Sequence, residues 1–210
     1  MVTKQLPPPS YAYELDANRT GARLIAGVDE AGRGPLAGPV TAAAVILNPR
    51  RLPHGLNDSK KLSLRQRDRL AEEIRASSIW CVVHVGAEEI DSLNIHHASL
   101  TAMSRAVAGL AQTPDATLID GKFVPPALAA TGRAIVKGDA VCLSIAAASI
   151  LAKTERDRLM VDLAQQFPGY GWERNAGYPT PDHKSALMRL GPTPYHRHSF
   201  RPVHNILCKE

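Results

Sequence analysis

The sequence lacks the features that mark disulfide-rich, membrane-spanning and secreted proteins. Only three of its 210 residues are cysteines, Cys81, Cys142 and Cys208, and no two of them form a Cys-x-x-Cys pair. An odd number of scattered cysteines argues against a disulfide framework and favours a reducing compartment. No apolar run approaches the ~20 residues that a membrane helix needs. The polar N-terminus has no apolar segment of the secretory type, so we expect a cytoplasmic protein.

Two common nucleotide-binding loops are also missing. Residues 32–38, Gly-Arg-Gly-Pro-Leu-Ala-Gly, are rich in glycine. They contain neither the Gly-Lys-Ser/Thr of a P-loop nor the Gly-x-Gly-x-x-Gly of a dinucleotide-binding fold. Acidic residues precede this segment, where a phosphate cradle would avoid negative charge. The glycines therefore indicate some other close approach of the backbone to a ligand.

The composition fits one globular domain with a basic surface. Hydrophobic residues make up 44% of the chain, which is enough for a normal core, and the net charge is +5. Because Lys and Arg displace counterions from phosphates, this charge indicates a polyanionic substrate. Three prolines at positions 7–9 predict a flexible N-terminal tail over residues 1–20. A main domain over 21–166 follows, and a change in composition marks a C-terminal extension over 167–210.

Hydrophobic patterning predicts an α/β fold with a mixed sheet. The first two apolar strands lie too close in sequence for a helical crossover, so they are expected to pair as antiparallel neighbours. Leu64, Leu70 and Ile74 have helical spacing among charged residues, which is typical of a surface helix. Strands are predicted over residues 24–29, 40–47, 79–85, 116–120 and 133–137, and helices over 63–77, 94–111, 141–166 and 182–190.

Four acidic residues fall at the ends of predicted elements. Asp29 and Glu30 end the first strand and Asp120 ends the fourth, and sites in such sheets gather where strands end. Asp139 precedes the long third helix, where it could cap the helix or turn towards a metal. Adjacent carboxylates repel each other, and a cation between them keeps both ionised. Oxygen ligands of this kind suit Mg²⁺ or Mn²⁺.

Each acid also has a structural alternative. Asp139 can be a helix cap, Asp120 a turn residue, and the pair Asp29–Glu30 a solvated strand end. Together with the Gly-Arg-Gly turn at 32–34 they favour a site, because glycine lets the backbone approach a ligand and arginine binds phosphate through a planar fork of donors. Weaker candidates, in segments that resemble exposed loop or charged helix, are Asp58, Asp91 and Asp157.

Phosphodiester hydrolysis is the reaction that suits two cations held in this way. One ion orients and acidifies a water, while the other stabilises the charge that develops on the leaving oxygen. The carboxylates fix the geometry, and one of them can relay protons.

Several segments resemble those of type II ribonuclease H, ribonuclease HII. The run GVDEAGRGPLAGPV at 27–40 resembles the signature of that family. The likeness covers residues 24–203 and is specific, because several rare motifs recur in the family's order. These motifs lie at 58–62, 118–121, 137–139, 148–153 with 156–157, 177–180 with His183, and 196–200.

The resemblance implies a ribonuclease H-like five-stranded mixed sheet flanked by helices, with a C-terminal helical extension that contributes to substrate binding. It implies an endonuclease that cuts the RNA strand of RNA–DNA hybrids and nicks duplex DNA 5′ to a single ribonucleotide. The products would carry a 3′-hydroxyl and a 5′-phosphate, and the cofactor would be Mn²⁺ or Mg²⁺. We expect a monomer without an obligate protein partner or membrane. No clamp-binding box is recognisable at the C-terminus.

The resemblance also assigns roles to residues. The family's Gly-Arg-Gly element, which senses the ribose 2′-hydroxyl largely through backbone groups, falls on Gly32, Arg33 and Gly34. Its tyrosine, which packs on the next sugar, falls on Tyr178, although a tyrosine beside a Gly-Pro turn can equally be a core residue. Lys60 suits a phosphate contact. The implied catalytic and metal-binding residues are Asp29, Glu30, Asp120 and Asp139.

Three other functions stay open at this point. A zinc-stabilised nucleic-acid-binding module could use a cluster of possible ligands near the C-terminus, although their spacing fits no standard zinc pattern. A non-catalytic binder of hybrid duplexes would use the acids only for structure. A nuclease of the same fold could act on plain DNA junctions. The candidate zinc ligands are His196, His198, His204 and Cys208.

Overall fold

The computed structural model describes residues 7–208, which build on one five-stranded sheet of order β3-β2-β1-β4-β5. β1 pairs with β2, and β2 with β3, in antiparallel fashion, whereas β1, β4 and β5 run parallel. The predicted mixed sheet is therefore confirmed. The strands are β1 (Ile25–Ala31), β2 (Val40–Ile46), β3 (Ile79–Val85), β4 (Ala116–Asp120) and β5 (Gly132–Ile135).

Helices flank both faces of the sheet and form the C-terminal part of the chain. The segment 63–77 begins as predicted, because Ser63 and Gln66 form a reciprocal capping box. The helix predicted from residue 94 starts earlier and is kinked at Asn94, which has φ 61° and whose side chain accepts the N–H groups of His96 and His97. The helices are α1 (Ala12–Arg19), α2 (Leu64–Ser77), α3 (Ala87–Ala108), α4 (Leu143–Gln166), α5 (Trp172–Asn175), α6 (Pro181–Leu190) and α7 (Arg201–Leu207).

The core has one layer on each side of the sheet. α3 covers one face, and α2 and α4 cover the other. α4 packs so closely against β1 that a side chain at Gly27 would collide with the backbone of Ser144. This contact explains a glycine inside a buried strand, and it places the start of α4 directly against β1.

The C-terminal segment has its own apolar cluster, which is continuous with the rest of the molecule. Trp172, Leu187 and Val203 pack against Leu36 and against Met160 of α4. The extension therefore covers the turn that follows β1. The helix predicted over 182–190 is present as α6, whereas α5 and α7 were not predicted.

The prediction of a flexible tail is wrong for residues 12–19, which form α1. Residues 1–6 lie outside the described residues. α1 is held by tertiary contacts, because the buried Glu14 accepts the backbone N–H of Ser144 at 2.7 Å. Its polar sequence carries little amphipathic signal, so local patterning gave no sign of it.

Within residues 7–208, no helix has both the length and the apolar character needed to cross a membrane.

Candidate active site

The ends of two neighbouring parallel strands bring the first acids together. β1 and β4 pair with Val28 opposite Ile119, so Asp29 and Asp120 follow at the same edge of the sheet. Asp29 is only 5% exposed. Its Oδ1 accepts the N–H of Glu30 at 2.7 Å, which fixes the carboxylate at the strand end. The sequence left open whether these two strands are neighbours, and the pairing shows that they are.

Asp139 reaches the same edge from the far side of β4. It lies in a 3₁₀ turn, Gly138–Ala140, after β5, and Oδ1 of Asp120 accepts the N–H of Gly138 at 2.6 Å. The interpretation of Asp139 as a helix cap is wrong, because α4 begins only at Leu143. The carboxylate that binds the first turn of α4 belongs to Glu14.

The acids perturb one another electrostatically. Burial, followed by the charges of Glu30, Asp120 and Asp139, raises the pKa of Asp29 well above its ordinary value. Burial and then Asp120 likewise raise the pKa of Asp139. Burial raises the pKa of Glu30, although Arg33 opposes that shift. A buried group of like charges is unfavourable until a cation balances it.

Two basic side chains already approach the acids. Nη1 of Arg33 donates to Oε1 of Glu30 at 3.1 Å, and Nζ of Lys60 lies 3.7 Å from Oδ2 of Asp139. Lys60 and Arg33 therefore lie beside the carboxylates, as expected of groups that meet phosphates. The 80% exposure of the Lys60 side chain makes its ion pair weak.

The Gly-Arg-Gly turn crosses the mouth of the site. Gly32 has φ 92°, and a side chain there would collide with Arg156. At Gly34 an added methyl group would lie 3.5 Å from Cε1 of Tyr178. Tyr178 is 42% exposed and therefore faces the turn from the surface, which rules out the core alternative for this residue.

Two buried arginines hold the turn from behind, and sequence reasoning assigned them no role. Arg197, which is 0% exposed, donates to the carbonyls of Gly32, Arg33 and Gly38 at 2.6–3.0 Å. Arg156 donates to the carbonyls of residues 37, 39 and 176. Both residues lie in motifs that carry the family resemblance, and those motifs were the signal in the sequence that could have pointed to them. Neither guanidinium forms an ion pair within residues 7–208.

These elements enclose a cleft of about 440 Å³. Asp139 is not among its lining residues, although it contacts Lys60, which is. The lining adds three side chains that sequence reasoning missed: Ser59 and Ser149, whose hydroxyls lie 2.8 Å apart, and Lys153, which pairs with Asp157. The predicted site residues in the lining are Asp29, Glu30, Gly32, Arg33, Gly34, Lys60, Asp120 and Tyr178.

The donor set suits a hard divalent cation. Carboxylate oxygens are the ligands of Mg²⁺ and Mn²⁺, and a cation would relieve the mutual repulsion that raises the pKa of Asp29. As the side chains stand, no three His, Cys, Asp or Glu residues of the described chain are arranged ready to hold a metal. The acids are instead engaged by the N–H of Gly138, by Arg33 and by Lys60.

The zinc alternative is not supported. Both ring nitrogens of the buried His196 are engaged, one by Thr193 and the other by His183. His204 and Cys208 lie near each other on α7, but within residues 7–208 no third ligand completes a metal group with them.

The weaker acidic candidates serve structure. Asp58 caps a 3₁₀ turn by accepting the N–H of Lys60. Asp91 accepts the N–H groups of His198 and Ser199. Asp157 pairs with Lys153 at 2.6 Å. The lower rank given to these three acids agrees with these contacts.

Comparison with known proteins places this geometry in a family. The family model described as Ribonuclease HII matches residues 26–203. A ribonuclease HII of Paracoccus denitrificans is 64% identical over 202 residues, which cover 96% of each chain. The ribonuclease H2 of Pyrococcus horikoshii superposes with a TM-score of 0.76 at 28% identity, covering 88% of this chain and 97% of that one. A ribonuclease HII from Archaeoglobus fulgidus, solved in a complex with PCNA, gives 0.72 at 29% identity, covering 85% and 96%.

Proposed function

The chain belongs to the ribonuclease HII family, and on that premise we propose that it is an endonuclease that cuts the RNA strand of RNA–DNA hybrids. We further propose that it nicks duplex DNA 5′ to a single embedded ribonucleotide and leaves a 3′-hydroxyl and a 5′-phosphate. The observation that carries the proposal is the buried Asp29, grouped with Glu30 and Asp120 beside a Gly-Arg-Gly turn. In this proposal the protein works in the cytoplasm as a monomer without an obligate partner.

The carboxylates supply the reason for a divalent cofactor. Asp29, Glu30, Asp120 and Asp139 would hold Mn²⁺ or Mg²⁺. A bound ion supplies Lewis acidity, which makes a water more acidic and stabilises charge on the phosphate. The protein itself fixes the acids at strand ends, where the N–H groups of Glu30 and Gly138 orient two of the carboxylates. That fixed orientation lowers the cost of assembling the site at the moment of reaction.

Selectivity for RNA is assigned to the Gly-Arg-Gly turn and Tyr178. The 2′-hydroxyl is the group that separates RNA from DNA at a single position, and glycine lets backbone groups reach it. The Tyr178 ring faces Gly34 across the cleft and has a rigid apolar face that can test the shape of a sugar. Because Arg197 donates to the carbonyls of Gly32 and Arg33, it fixes the backbone of the turn that would meet the substrate.

Binding of the backbone is assigned to the basic side chains that line the cleft. Lys60, Arg33 and Lys153 present positive charge beside the carboxylates, and this charge favours phosphate over a neutral ligand. An inactive binder of hybrid duplexes would use the same surface, so turnover and not binding separates the two proposals.

The decisive experiment compares three duplexes: one with a single ribonucleotide, one with an RNA strand paired to DNA, and one of DNA only. We expect nicking of the first two with Mn²⁺ or Mg²⁺, none with chelator, and none of the DNA-only duplex. Asp29→Asn and Asp120→Asn should abolish nicking but retain binding, since they leave the basic surface intact. Asp68→Asn is the matched control and should cleave normally, because this partly exposed acid on α2 pairs with Arg158 and does not line the cleft.

Three outcomes would count against the proposal. Binding without metal-dependent nicking would favour the non-catalytic binder. Cleavage of the DNA-only duplex would favour a junction nuclease and remove the role given to the 2′-hydroxyl. Loss of binding in step with loss of nicking in the Asp variants would indicate misfolding in place of a missing metal ligand.

A further inference from the structure

Two buried histidines connect the C-terminal helices to the cleft. His183 on α6 is 0% exposed and His196 is 1% exposed. Their Nε2 atoms lie 3.1 Å apart. Neither residue lines the cleft, and the proposed function gives them no role.

The neighbours of the pair fix where its protons lie. Trp172 donates Nε1–H to Nε2 of His183 at 3.0 Å, so this nitrogen is an acceptor. The N–H of Thr193 points at Nδ1 of His196 at 2.9 Å, so this nitrogen is an acceptor too. A neutral imidazole carries one proton. His196 must therefore carry its proton on Nε2 and donate it to His183, which must carry its own proton on Nδ1.

The remaining donor of His183 reaches the backbone of the cleft. Nδ1 of His183 lies 2.9 Å from the carbonyl oxygen of Tyr178. The same carbonyl accepts the N–H of Thr180 at 2.8 Å, and the N–H of Tyr178 donates to the carbonyl of Asn175 at 2.9 Å. The backbone of Tyr178 is thus held on both sides, while its ring stays at the surface opposite Gly34.

The surroundings favour the neutral form of both rings. Tyr170 and Trp172 pack against His196 with ring centroids 5.1 Å and 5.3 Å away. Burial, followed by the charges of His183 and His198, lowers the pKa of His196 to about 3, and burial lowers the pKa of His183. A second proton on either ring would place two N–H donors face to face in the core, where they repel each other.

We propose that His183 and His196 are positioning residues, which fix Tyr178 through its carbonyl and thereby set how strictly the protein reads the sugar next to the ribonucleotide. This inference rests on the proposed function, because it assumes that Tyr178 contacts that sugar. It concerns selectivity and not the chemical step, since neither ring touches the carboxylates.

Two substitutions of the same histidine separate positioning from a general structural role. The amide of His183→Asn lies near the position of Nδ1 and can still donate to the Tyr178 carbonyl, whereas the amide of His183→Gln lies near Nε2 and cannot. The readout is the nicking rate of the one-ribonucleotide duplex divided by the rate on a long hybrid. We expect His183→Gln to lower this ratio about tenfold, which corresponds to the loss of one of the two hydrogen bonds to this carbonyl. The ratio for His183→Asn should stay within about twofold of the wild-type ratio. Tyr178→Ala should lower the ratio the most.

The titration of nicking against Mn²⁺ should not change in either variant, because the carboxylates are untouched. Equal ratios for the Asn and Gln variants, or equal losses in both, would overturn the inference. If the wild type nicked neither duplex, the proposed function itself would fail.

A spectroscopic test uses the wild-type protein and requires neither enzymatic activity nor a variant. In ¹⁵N-histidine-labelled protein near pH 7, two-bond ¹H–¹⁵N spectra should show His183 protonated on Nδ1 and His196 protonated on Nε2. The opposite tautomer of His183, or a charged ring, would overturn the proton order and with it the inference.

Discussion

At the scale of single residues, the cleft contains features that suit its proposed function but lower the stability of the folded protein. Asp29 is buried among three other acids, a placement that a protein selected for stability alone would avoid. Lys137 and Ala176 have positive φ values of 58° and 47°, which side chains other than glycine adopt only with strain. Both lie close in sequence to proposed site residues. Strain at these positions is consistent with a pre-organised site.

Replacing Asp29 should therefore make the protein more stable while removing its activity. Asp29→Asn keeps the size of the side chain and removes one of the buried like charges. We expect the free energy of unfolding to rise by about 1–2 kcal/mol at pH 7 without divalent ions. Urea denaturation measures this change.

Added Mn²⁺ should raise the stability of the wild type more than that of Asp29→Asn, because the variant offers one ligand fewer. Asp68→Asn should leave stability near the wild-type value, because it removes only a partly exposed ion pair with Arg158. A clear fall in the stability of Asp29→Asn would show that the carboxylate is already balanced by its surroundings, contrary to the repulsion inferred here.

Arg197 provides the second prediction at this scale. Arg197→Lys keeps the charge but cannot supply three donors in a planar fork. The carbonyls of Gly32, Arg33 and Gly38 would then keep only some of the three hydrogen bonds that Arg197 donates to them. We expect a loss of about 2–3 kcal/mol in the free energy of unfolding and a larger loss of nicking than of Mn²⁺ binding.

The matched control is Arg201→Lys on α7, an exposed arginine that should tolerate the change. An Arg197→Lys protein with wild-type stability and nicking would mean that the turn keeps its shape without the guanidinium.

At the scale of elements, the sequence predicted what depends on local patterns. Apolar and β-branched runs placed Asp29 and Asp120 near the ends of their strands, because strand bounds depend on local sequence. The pairing of β1 with β4 joins distant parts of the chain and did not follow from those runs. The roles of Arg197, Arg156 and the histidine pair could not be read in this way. Their partners are backbone carbonyls and rings brought near only by the packing of the C-terminal extension, and one such contact spans 165 positions in the chain.

Helix α1 illustrates the same limit and gives the third prediction. Oε1 of Glu14 accepts the N–H of Ser144 at 2.7 Å and Sγ–H of Cys142 at 3.2 Å, at the start of α4. A carboxylate at a helix N-terminus satisfies unpaired donors and interacts favourably with the positive end of the helix dipole. Glu14→Ala should lower the free energy of unfolding by about 1–2 kcal/mol, as measured by urea denaturation.

Leu15→Ala is the control for this prediction, because Leu15 lies on the same helix but is 53% exposed. Deleting residues 1–20 should cost at least as much stability as Glu14→Ala, whereas a true tail could be removed without effect. Equal stability of the deleted and full-length chains would contradict the role assigned to α1.

At the scale of the whole molecule, the C-terminal extension and the sheet form one site. The extension supplies Tyr178 to the mouth of the cleft and Arg197 behind the turn, while the sheet supplies the carboxylates. Two sets of buried titratable groups lie in different parts of the molecule: His183 and His196 lie in the extension, whereas the mutually repelling acids lie at the sheet. As the pH falls, the histidines lower the stability of the fold, whereas the acids raise it.

The histidines predict acid destabilisation that originates in the extension. The ordinary pKa of a histidine is 6.5, and that of folded His196 is about 3. Between these values the unfolded chain takes up a proton that the folded chain excludes, so stability is fully present above pH 6.5 and falls as the pH drops towards 3. From pH 7.5 to pH 5 this residue alone should cost about 2 kcal/mol. His183 shifts in the same direction.

The acids act in the opposite sense, because a raised pKa lets folded Asp29 take up its proton before the unfolded chain does. A pH profile of the wild type therefore contains both effects, and a variant is needed to separate them. His196→Gln does not titrate, and it keeps every carboxylate. The stability of the wild type minus that of His196→Gln should thus decrease by about 2 kcal/mol between pH 7.5 and pH 5. A difference that stays constant over this range would mean that His196 titrates normally and that the hydrogen-bonded pair does not exclude protons.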